Sequence, residues 1–449
     1  MPNEGQNMHK LKMEILVINY YWPPAGGPAV QRWVNMLNEW TAAGVICHLV
    51  TVDSTKATYQ VLDNSIGKQV NSGINIYKTD TAELFGLYRN LVGQVPANAF
   101  VNERRPSFKQ KIARFMRGNF FIPDPRKGWN KFAYRAAVKI IQSHDVKILV
   151  TAGPPHSTHL IGLKIKKITN ITWIADLHDY WTDIFYLKEF YRTPPARWID
   201  RHLELKVLKS ADLVLSHCQF AKQLYVKKLK NLNADKILIH TMGFDNTLFQ
   251  PDRKPEPQSV FTVTYTGMMP GNFDPEIFFR VMGRIVSDYP EIPVKIRFVG
   301  LFSQTVRSFI KKYELEKCFE ETGYVEHSKI PVYLYSSSLL LLVNPHVRNE
   351  KMIVPGKIYE YLAVRKPVIS IAGNDSENAR LLELCEAGRN FERNDDETMY
   401  SYLKELLKAW QIDHHVDLTN NNRNYLKFSR SYEARRLLEK ITRMTGSGS

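Results

Sequence analysis

The chain has 449 residues, of which 44% are hydrophobic and 24% are charged, a composition typical of a globular protein with two or three domains. Its 61 Lys and Arg against 45 Asp and Glu give a formal net charge of +16, so we expect an anionic partner: nucleic acid, lipid headgroups or a phosphorylated small molecule. The 4 cysteines form no CxxC pair and no zinc-type cluster with histidine, which argues against a disulfide framework and predicts no metal site.

No apolar run approaches the roughly 18 residues that span a bilayer, and the chain begins with a polar stretch in place of a signal peptide. We therefore expect a cytoplasmic protein. The polar residues 1–12 and the linker-like stretch Thr445–Ser449 are predicted to lie outside the folded domains.

The first predicted unit is a strand, a glycine-containing turn, a helix and a second strand within residues 13–52. The turn is the Pro- and Gly-rich loop Tyr20–Pro28, and apolar residues at helical spacing predict a helix over Ala29–Trp40. Gly26 and Gly27 lack side chains and can bring backbone close to a ligand, although such glycine turns also occur for structural reasons alone. The spacing is not GxGxxG and does not indicate a dinucleotide fingerprint.

Strands and helices continue to alternate through the first half of the chain. The further predicted strands are Lys147–Val150, Ile171–Ala175, Leu213–Ser216 and Lys236–Ile239. This alternation predicts an α/β domain with a parallel sheet. Because sites in such folds gather at the carboxyl ends of strands, His178 and Asp179 are candidate catalytic residues. Asp176 is predicted to be structural, and His178 has the alternative role of hydrogen-bonding a neighbouring carboxylate.

A basic segment, residues 101–131, interrupts the alternation. Its first part, Val101–Arg117, holds six Lys or Arg and one acidic residue. Apolar residues lie between these charges at helical spacing: Phe108, Ile112, Phe115 and Met116. Such a segment can lie on an anionic membrane surface, or it can be a solvated helix that packs through its apolar face.

A Pro-rich, polar stretch at residues 246–260 is predicted to link two domains. The domains are then expected at 13–245 and 261–427, with a C-terminal helix at 428–443 that returns to the first domain. The second domain repeats the α/β alternation, with predicted strands at Phe261–Tyr265, Val294–Val299, Leu339–Val343 and Val368–Ile371. Two such domains are expected to face each other across a cleft.

The stretch Lys351–Pro367 carries the strongest chemical pattern of the second domain. Pro355 and Gly356 lie where a helix can begin, and the free backbone N–H groups at a helix start suit a phosphate, with the charge of Lys357 beside them. Glu360 follows one turn later, where a carboxylate can accept hydrogen bonds from sugar hydroxyls. A diphosphate and a ribose one helical turn apart describe a nucleotide; the alternative is a surface helix whose Lys and Glu are only solvated.

Sequence motifs recur in a definite order along nearly the whole chain, from Met13 to about Arg443. They are YYWPPAGGPAVQR (Tyr20–Arg32), TAGPPHSTHLIGL (Thr151–Leu163), ADLHDYWTD (Ala175–Asp183), ADLVLSHCQFAK (Ala211–Lys222), MGFDNTLFQP (Met242–Pro251), TYTGMMPG (Thr264–Gly271), KIRFVG (Lys295–Gly300), TGYVEHSKIPVYL (Thr322–Leu334) and PGKIYEYLAVRKPVI (Pro355–Ile369). In this order they resemble the GT-B glycosyltransferases, in particular family four of retaining, nucleotide-sugar-dependent enzymes. FIPDPRKGW resembles a segment of the members that build bacterial surface polysaccharides.

The resemblance implies a GT-B fold, in which two Rossmann-like α/β domains bind the acceptor and the nucleotide sugar respectively. It implies that the loop of Gly26 and Gly27 lies under the reaction centre, and that His178, with Asp179 beside it, lies near the acceptor. The implied donor contacts are Gly267, Met268 and Met269 at the phosphates, Tyr324 and Val325 at the base, Pro355, Gly356 and Lys357 at the diphosphate, and Glu360 at the ribose.

Two features depart from the family pattern. The family often carries a Glu eight residues before the ribose Glu, and this chain has Met352 there. The Arg and Lys that commonly clamp the diphosphate are not evident in GMMPGNFDP, so Lys357 or Arg348 would have to replace them.

The sequence therefore predicts a retaining glycosyltransferase that moves a sugar from a UDP- or GDP-linked donor to a lipid-linked or polysaccharide-precursor acceptor. We expect it to bind the anionic inner face of the cell membrane through residues 101–131, and to need no metal or other cofactor. A nucleotide-sugar epimerase or a phosphorylase of the same fold remains an alternative. A nucleic-acid-binding protein is supported by charge alone.

Overall fold

A computed structural model describes most of the chain: residues 13–59, 61–83, 107–230, 233–250, 256–347, 349–416, 418 and 421–446. Several sequence-based predictions lie outside the described residues, namely those for 1–12, for 101–106 of the basic segment, for 251–255 of the linker, for 447–449 and for Arg348. The chain divides into two compact units, Met1–Met242 with Arg430–Ser449 (unit 1) and Gly243–Ser429 (unit 2).

Unit 1 is built on a parallel sheet whose described strands follow the order β3-β2-β1-β4-β5-β6-β7. The strands are β1 (Glu14–Asn19), β2 (Ile46–Val52), β3 (Asn75–Thr79), β4 (Val146–Gly153), β5 (Thr172–Leu177), β6 (Leu213–Ser216) and β7 (Ile237–Ile239). The central strands are almost entirely buried, which explains their continuous apolar runs. The winding reverses between the neighbours β1 and β4, so the loops that follow these strands adjoin the switch point where α/β folds bind ligands.

Helices cover this sheet. They are α1 (Pro28–Ala42), α2 (Asn64–Gly67), α3 (Phe108–Phe120), α4 (Asn130–Ser143), α5 (His159–Lys166), α6 (Pro194–Ser210) and α7 (Gln219–Lys228). The basic segment forms α3, which begins at a capping box: the Ser107 side chain accepts a hydrogen bond from the Gln110 N–H, and the Gln110 side chain accepts one from the Ser107 N–H.

Unit 2 contains a second parallel sheet, whose described strands follow the order β10-β9-β8-β11-β12-β13. The strands are β8 (Phe261–Thr266), β9 (Val294–Val299), β10 (Phe319–Gly323), β11 (Leu339–Val343), β12 (Val368–Ile371) and β13 (Gly388–Phe391). The helices are α8 (Glu276–Asp288), α9 (Gln304–Lys312), α10 (Ile330–Tyr335), α11 (Lys357–Ala363), α12 (Glu377–Cys385) and α13 (Asp396–Asp413). The two parallel sheets with their helices confirm the predicted α/β fold class.

The last helix, α14 (Arg430–Gly446), belongs to unit 1. It packs against α1, and the indole N–H of Trp40 donates a hydrogen bond of 2.9 Å to the carbonyl of Ala434. Leu437 and Ile441 are fully buried in the same core. The C-terminal segment therefore completes the hydrophobic core that the first strands begin.

The described part of the predicted linker, 246–260, lies inside unit 2. Phe244 and Phe249 are fully buried, and the Phe244 N–H donates to the carbonyl of Phe428 at 2.9 Å. Phe249 lies within the predicted linker and Phe244 just before it, so the chain on both sides of residue 246 is packed into unit 2. Among the described residues, none of the helices has the length and hydrophobicity of a membrane-spanning helix.

Candidate functional site

Helix α11 is fastened to the carboxyl end of β8 by two of its side chains. The hydroxyl of the fully buried Tyr361 accepts the Thr266 N–H at 3.0 Å. The Lys357 ammonium donates to the carbonyl of the same residue, Thr266. These bonds bring the first turn of α11 beside the loop that follows β8.

The Lys357 ammonium lies against Gly267, the first residue after β8. A Cβ atom at position 267 would lie 3.0 Å from the Lys357 Nζ, and the φ of +100° at Gly267 strongly favours glycine. Nζ also lies 4.0 Å from the centre of the Tyr265 ring. Burial lowers the pKa of Lys357 to about 7, and the negative charge of Glu360 opposes this shift. An incoming anion would raise this pKa again, because it favours the charged ammonium.

Glu360 lies in the first turn of α11, and its Oε1 is 2.7 Å from Nε2 of His327. The two side chains remain 14% and 31% exposed respectively, so a ligand can reach both. A carboxylate has about four acceptor positions, and the contact with one imidazole leaves the others for hydroxyl groups. Sequence reasoning did not select His327, because no local pattern connects residues that are 33 positions apart.

The other predicted donor residues of unit 2 divide into exposed and buried positions. Tyr324 is 80% exposed and Val325 is partly buried, in the loop that leads to His327. Met268 is 56% exposed beside Gly267. Met269, by contrast, is fully buried in the core, and its N–H is bonded to a backbone carbonyl at 2.9 Å. The structure therefore does not bring the Met269 side chain to Lys357.

Pro355 and Gly356 directly precede α11, as predicted, and their carbonyls accept the first hydrogen bonds of the helix. Met352 ends the short 3-10 helix Glu350–Met352. The nearby carboxylate of Glu350 lies 2.9 Å from the guanidinium of Arg393 and accepts a backbone N–H at 3.0 Å. Glu350 is thus held by its own unit at the carboxyl edge of the second sheet.

In unit 1, two side chains of α1 form hydrogen bonds with the carboxylate of Asp176, near the end of β5. Arg32 of α1 contacts both carboxylate oxygens, at 2.7 and 3.2 Å, and the Trp33 indole donates to one of them at 3.1 Å. Arg32 also lies 2.7 Å from Nδ1 of His240. All four side chains are buried. Removing one member of a buried ion pair typically costs about 3–5 kcal/mol, so Asp176 fastens β5 to α1.

His178 and Asp179 follow β5 and make far fewer contacts than Asp176. Nδ1 of His178 is buried without a hydrogen-bond partner among the described residues. Burial, the Arg32 charge and the neighbouring His217 hold the pKa of His178 well below its usual range, so its imidazole is neutral at pH 7. Burial and the Asp176 charge raise the pKa of Asp179 to about 6. At pH 7 the neutral imidazole can accept a hydrogen bond, and a carboxyl group that titrates near neutrality is suited to proton transfer.

Gly26 and Gly27 occupy the loop between β1 and α1. The Gly26 N–H donates to the carbonyl of Val61 at 2.9 Å. Gly27 has a φ of +112°, and a Cβ atom there would have no neighbour within 4 Å. Gly27 is therefore required for its backbone conformation, and the space next to it is open within the described structure.

A cavity of about 350 Å³ lies at the carboxyl edge of the first sheet. Its lining includes Asp179, Tyr21 from the loop after β1, His156 after β4, Arg117 from α3 and Arg126 from the 3-10 helix Pro125–Trp129. The His156 ring stacks on Trp181 with ring centres 5.0 Å apart, and burial lowers the pKa of His156 to about 4. The cavity thus combines aromatic walls with three arginines, Arg117, Arg126 and Arg192, and with three carboxyl groups whose pKa is raised by burial, Asp124, Asp179 and Asp200.

Helix α3 borders this cavity and leaves its apolar side chains exposed. The exposed fractions of Phe108, Ile112, Phe115, Met116 and Phe120 are 77%, 48%, 40%, 41% and 69%. The opposite face is buried at Ala113, Arg114 and Gly118. A Cβ atom at Gly118 would lie 2.2 Å from the Phe190 carbonyl oxygen, so glycine is needed for this close packing.

Comparison with solved structures identifies the architecture. A glycosyltransferase from Rickettsia africae is 15% identical, with a TM-score of 0.61 over 97% of this chain and 99% of the other. Anabaena HepE in complex with UDP and glucose is 13% identical, with a TM-score of 0.56 over 96% of this chain and 99% of the other. A UDP-N-acetylglucosamine 2-epimerase is 13% identical, with a TM-score of 0.50 over 97% of each chain. No family model and no curated protein sequence matches the chain.

The chain has the GT-B fold.

In this GT-B chain, candidate side chains gather at the carboxyl edge of each sheet. Unit 2 brings together Gly267, Lys357, Glu360 and His327, which offer one cation and one carboxylate about a helical turn apart. Unit 1 brings Asp179 to a cavity that is large enough for part of a sugar or a phosphate group. Parallel strands point the loops that follow them toward one edge, which explains why distant residues meet there.

Proposed function

We propose that the protein is a retaining glycosyltransferase that moves a sugar from a nucleoside-diphosphate donor to a lipid-linked or polysaccharide-precursor acceptor. The observation that carries this proposal is the arrangement of the Lys357 ammonium against Gly267, with Glu360 in the same turn of α11. The GT-B fold, which HepE shares in complex with UDP and glucose, supports it.

Each residue of unit 2 has a chemical role in this proposal. Lys357 binds the β-phosphate and stabilises the negative charge that develops when the sugar leaves, while glycine at 267 lets the phosphate approach the backbone. Glu360, oriented by His327, accepts hydrogen bonds from the two ribose hydroxyls. The leaving phosphate itself takes the proton of the acceptor hydroxyl on the same face of the sugar, so the reaction requires no enzymic nucleophile.

Unit 1 binds the acceptor in this proposal. The cavity beside Asp179 receives the sugar or phosphate end of the acceptor, and the positive charges of Arg117 and Arg126 in its lining favour an anionic group. Neutral His178 and Asp179 contact the acceptor hydroxyl and hold its proton in position. The position of Asp179 in the cavity lining, the neutral imidazole of His178 and the raised pKa of Asp179 support these roles.

We also propose that α3 attaches the protein to the anionic, cytoplasmic face of a membrane, where a lipid-linked acceptor resides. Its exposed apolar residues lie on one face, and Lys109 and Lys111 are exposed next to them. A basic amphipathic helix lies at the headgroup boundary, with apolar side chains in the acyl region and cations near the phosphates.

Ligand binding and product analysis test the proposed function. UDP or GDP should raise the melting temperature, whereas uridine or guanosine should raise it much less, because the nucleosides lack the phosphates that Lys357 binds. Incubation with the matching nucleotide sugar and a membrane-lipid extract should give a glycosylated lipid whose anomeric configuration equals that of the donor. If neither diphosphate binds, the site assignment is wrong. If the sugar is converted when no acceptor is present, the protein is an epimerase like the structural relative described above.

A further inference from the structure

Three side chains with metal-ligating atoms converge at the amino-terminal edge of the first sheet. Glu14 is the first residue of β1, His48 lies in β2, and His144 directly follows α4. Their ligating atoms lie within 4.8 Å of one another. Oε2 of Glu14 is 3.0 Å from Nε2 of His48 and 3.6 Å from Nδ1 of His144. This edge is opposite to the one that carries His178 and Asp179.

The strand register explains the convergence. Leu16 of β1 pairs with His48 of β2, and Glu14 is two residues before Leu16, so Glu14 and His48 project from the same face of the sheet. Helix α4 ends at Ser143, and the imidazole ring of the next residue, His144, has its centre 4.5 Å from that of His48. The cluster therefore depends on three separate elements.

Two of the separations between the ligating atoms are close to those of a zinc site. Zinc binds imidazole nitrogen and carboxylate oxygen at about 2.0–2.2 Å, and tetrahedral bonds of that length separate neighbouring ligand atoms by about 3.3 Å. The two observed separations, 3.0 and 3.6 Å, lie on either side of this value. The other nitrogen of His48 is 3.2 Å from the Tyr77 hydroxyl, which resembles the outer hydrogen bonds that orient metal-ligating histidines.

We propose that Glu14, His48 and His144 bind a Zn²⁺ ion, with water as the fourth ligand. His48 is buried, whereas the His144 side chain is 40% exposed, so the ion and the water can enter from that side. Two imidazoles and one carboxylate favour zinc over magnesium, which prefers oxygen ligands. The ion links β1, β2 and the end of α4, and thereby stabilises unit 1. The competing interpretation is a hydrogen-bonded cluster in which a proton bridges Glu14 and His48.

Metal titration distinguishes the two interpretations without any measurement of activity. The full-length protein is treated with chelator, freed of it, and titrated with Zn²⁺ by calorimetry and with Co²⁺ by visible absorption. We expect one high-affinity ion per chain and the strong absorption of four-coordinate Co²⁺. Zn²⁺ should raise the melting temperature and Mg²⁺ should not.

Two variants remove one ligand each with little effect on packing: His144→Ala at the exposed end of α4, and Glu14→Gln. Each variant should weaken Zn²⁺ binding by about tenfold or more. Even the loss of a group that only orients a metal ligand typically lowers metal affinity by about 10–100-fold. The matched control is His202→Ala, an exposed histidine on α6 that should leave both affinity and melting temperature shift unchanged. Failure of the wild type to bind one ion, or equal Zn²⁺ affinity in wild type and His144→Ala, would overturn the proposal.

Discussion

The Glu360 carboxylate and the His327 imidazole are in contact at 2.7 Å, although one lies on α11 and the other in the loop region after β10. The contact fixes the rotamer of a carboxylate that would otherwise be mobile at the start of a short helix. An oriented acceptor loses less conformational entropy when it binds two hydroxyl groups. In the proposed donor site, we therefore expect His327 to act as a positioning residue for Glu360.

Glu360→Ala should weaken UDP or GDP binding by about 10–100-fold, because hydrogen bonds to a charged group contribute roughly 1.5–3 kcal/mol. Isothermal titration calorimetry with the preferred nucleotide measures the change. His327→Ala should have a smaller effect in the same direction, since the carboxylate remains but is less well oriented. The exposed Glu383 on α12 provides a matched control, and Glu383→Ala should bind like the wild type. Equal affinities of all four proteins would refute the ribose assignment.

The lowered pKa of Lys357 predicts that nucleotide binding depends on pH. Its pKa of about 7 in the free protein means that the ammonium loses its proton as the pH rises above neutrality, whereas a bound diphosphate keeps it protonated. Nucleotide affinity should therefore fall between pH 7 and pH 9, by up to about tenfold per pH unit. The terminal phosphate, whose second pKa is about 6, only gains negative charge above pH 7, so its own titration cannot cause this fall in affinity.

The Lys357→Met variant should bind the diphosphate about 10–100-fold more weakly at pH 7, and its affinity should not change with pH up to 9. Binding of the free nucleoside should change little in this variant. Lys408→Met removes an exposed lysine from α13 and serves as the control. A wild-type affinity that is constant between pH 7 and 9 would show that Lys357 does not titrate in the site.

Apolar runs predicted the buried central strands, but three edge strands were missed. β3, β10 and β13 lie at sheet edges and carry few fully buried residues, so they lack the continuous apolar pattern. The sequence predicted a phosphate-binding role for Lys357 and a ribose-binding role for Glu360, and the structure places both residues in the first turn of α11. The sequence did not predict the contact of His327 with Glu360, nor the cluster of Glu14, His48 and His144. Contacts between separate elements depend on strand register and on where helices end, which a local sequence pattern does not show.

The exposed apolar face of α3 predicts binding to anionic vesicles. The double variant Ile112→Ser/Phe115→Ser should reduce vesicle binding by about tenfold or more, because each large apolar side chain contributes roughly 1.5–3 kcal/mol when it leaves water. Co-sedimentation with vesicles containing phosphatidylglycerol measures the loss, and vesicles of phosphatidylcholine alone should bind the wild type weakly. Ile412→Ser alters a residue that is 79% exposed on α13 and serves as the control. Equal sedimentation of the double variant and the wild type would exclude α3 as the attachment surface.

Because the pKa of Asp179 is raised, we expect Asp179→Asn to have opposite effects on the stability and on the activity of the protein. Its pKa rises from 3.8 to about 6 on folding, so between these values the native state binds more protons than the unfolded state, and stability falls as the pH increases. Above pH 6 the native protein bears the full cost of the buried charge. Asp179→Asn removes that charge and should increase the free energy of unfolding by about 1–3 kcal/mol at pH 7.5, with a much smaller increase near pH 4.

Urea unfolding at both pH values measures the stability change, and Asp145→Asn, at an aspartate whose side chain is 77% exposed, should alter stability little at either pH. Sugar transfer by Asp179→Asn should be slower by about tenfold or more, because the amide loses the charge-assisted hydrogen bond, worth roughly 1.5–3 kcal/mol, by which the carboxylate holds the acceptor hydroxyl in position for the leaving phosphate. A variant that gains stability but loses sugar transfer is expected when the replaced charge serves the function and destabilises the fold. A variant that is more stable but fully active would place Asp179 outside the acceptor site, and one that is less stable at pH 7.5 would show that its carboxylate is not desolvated.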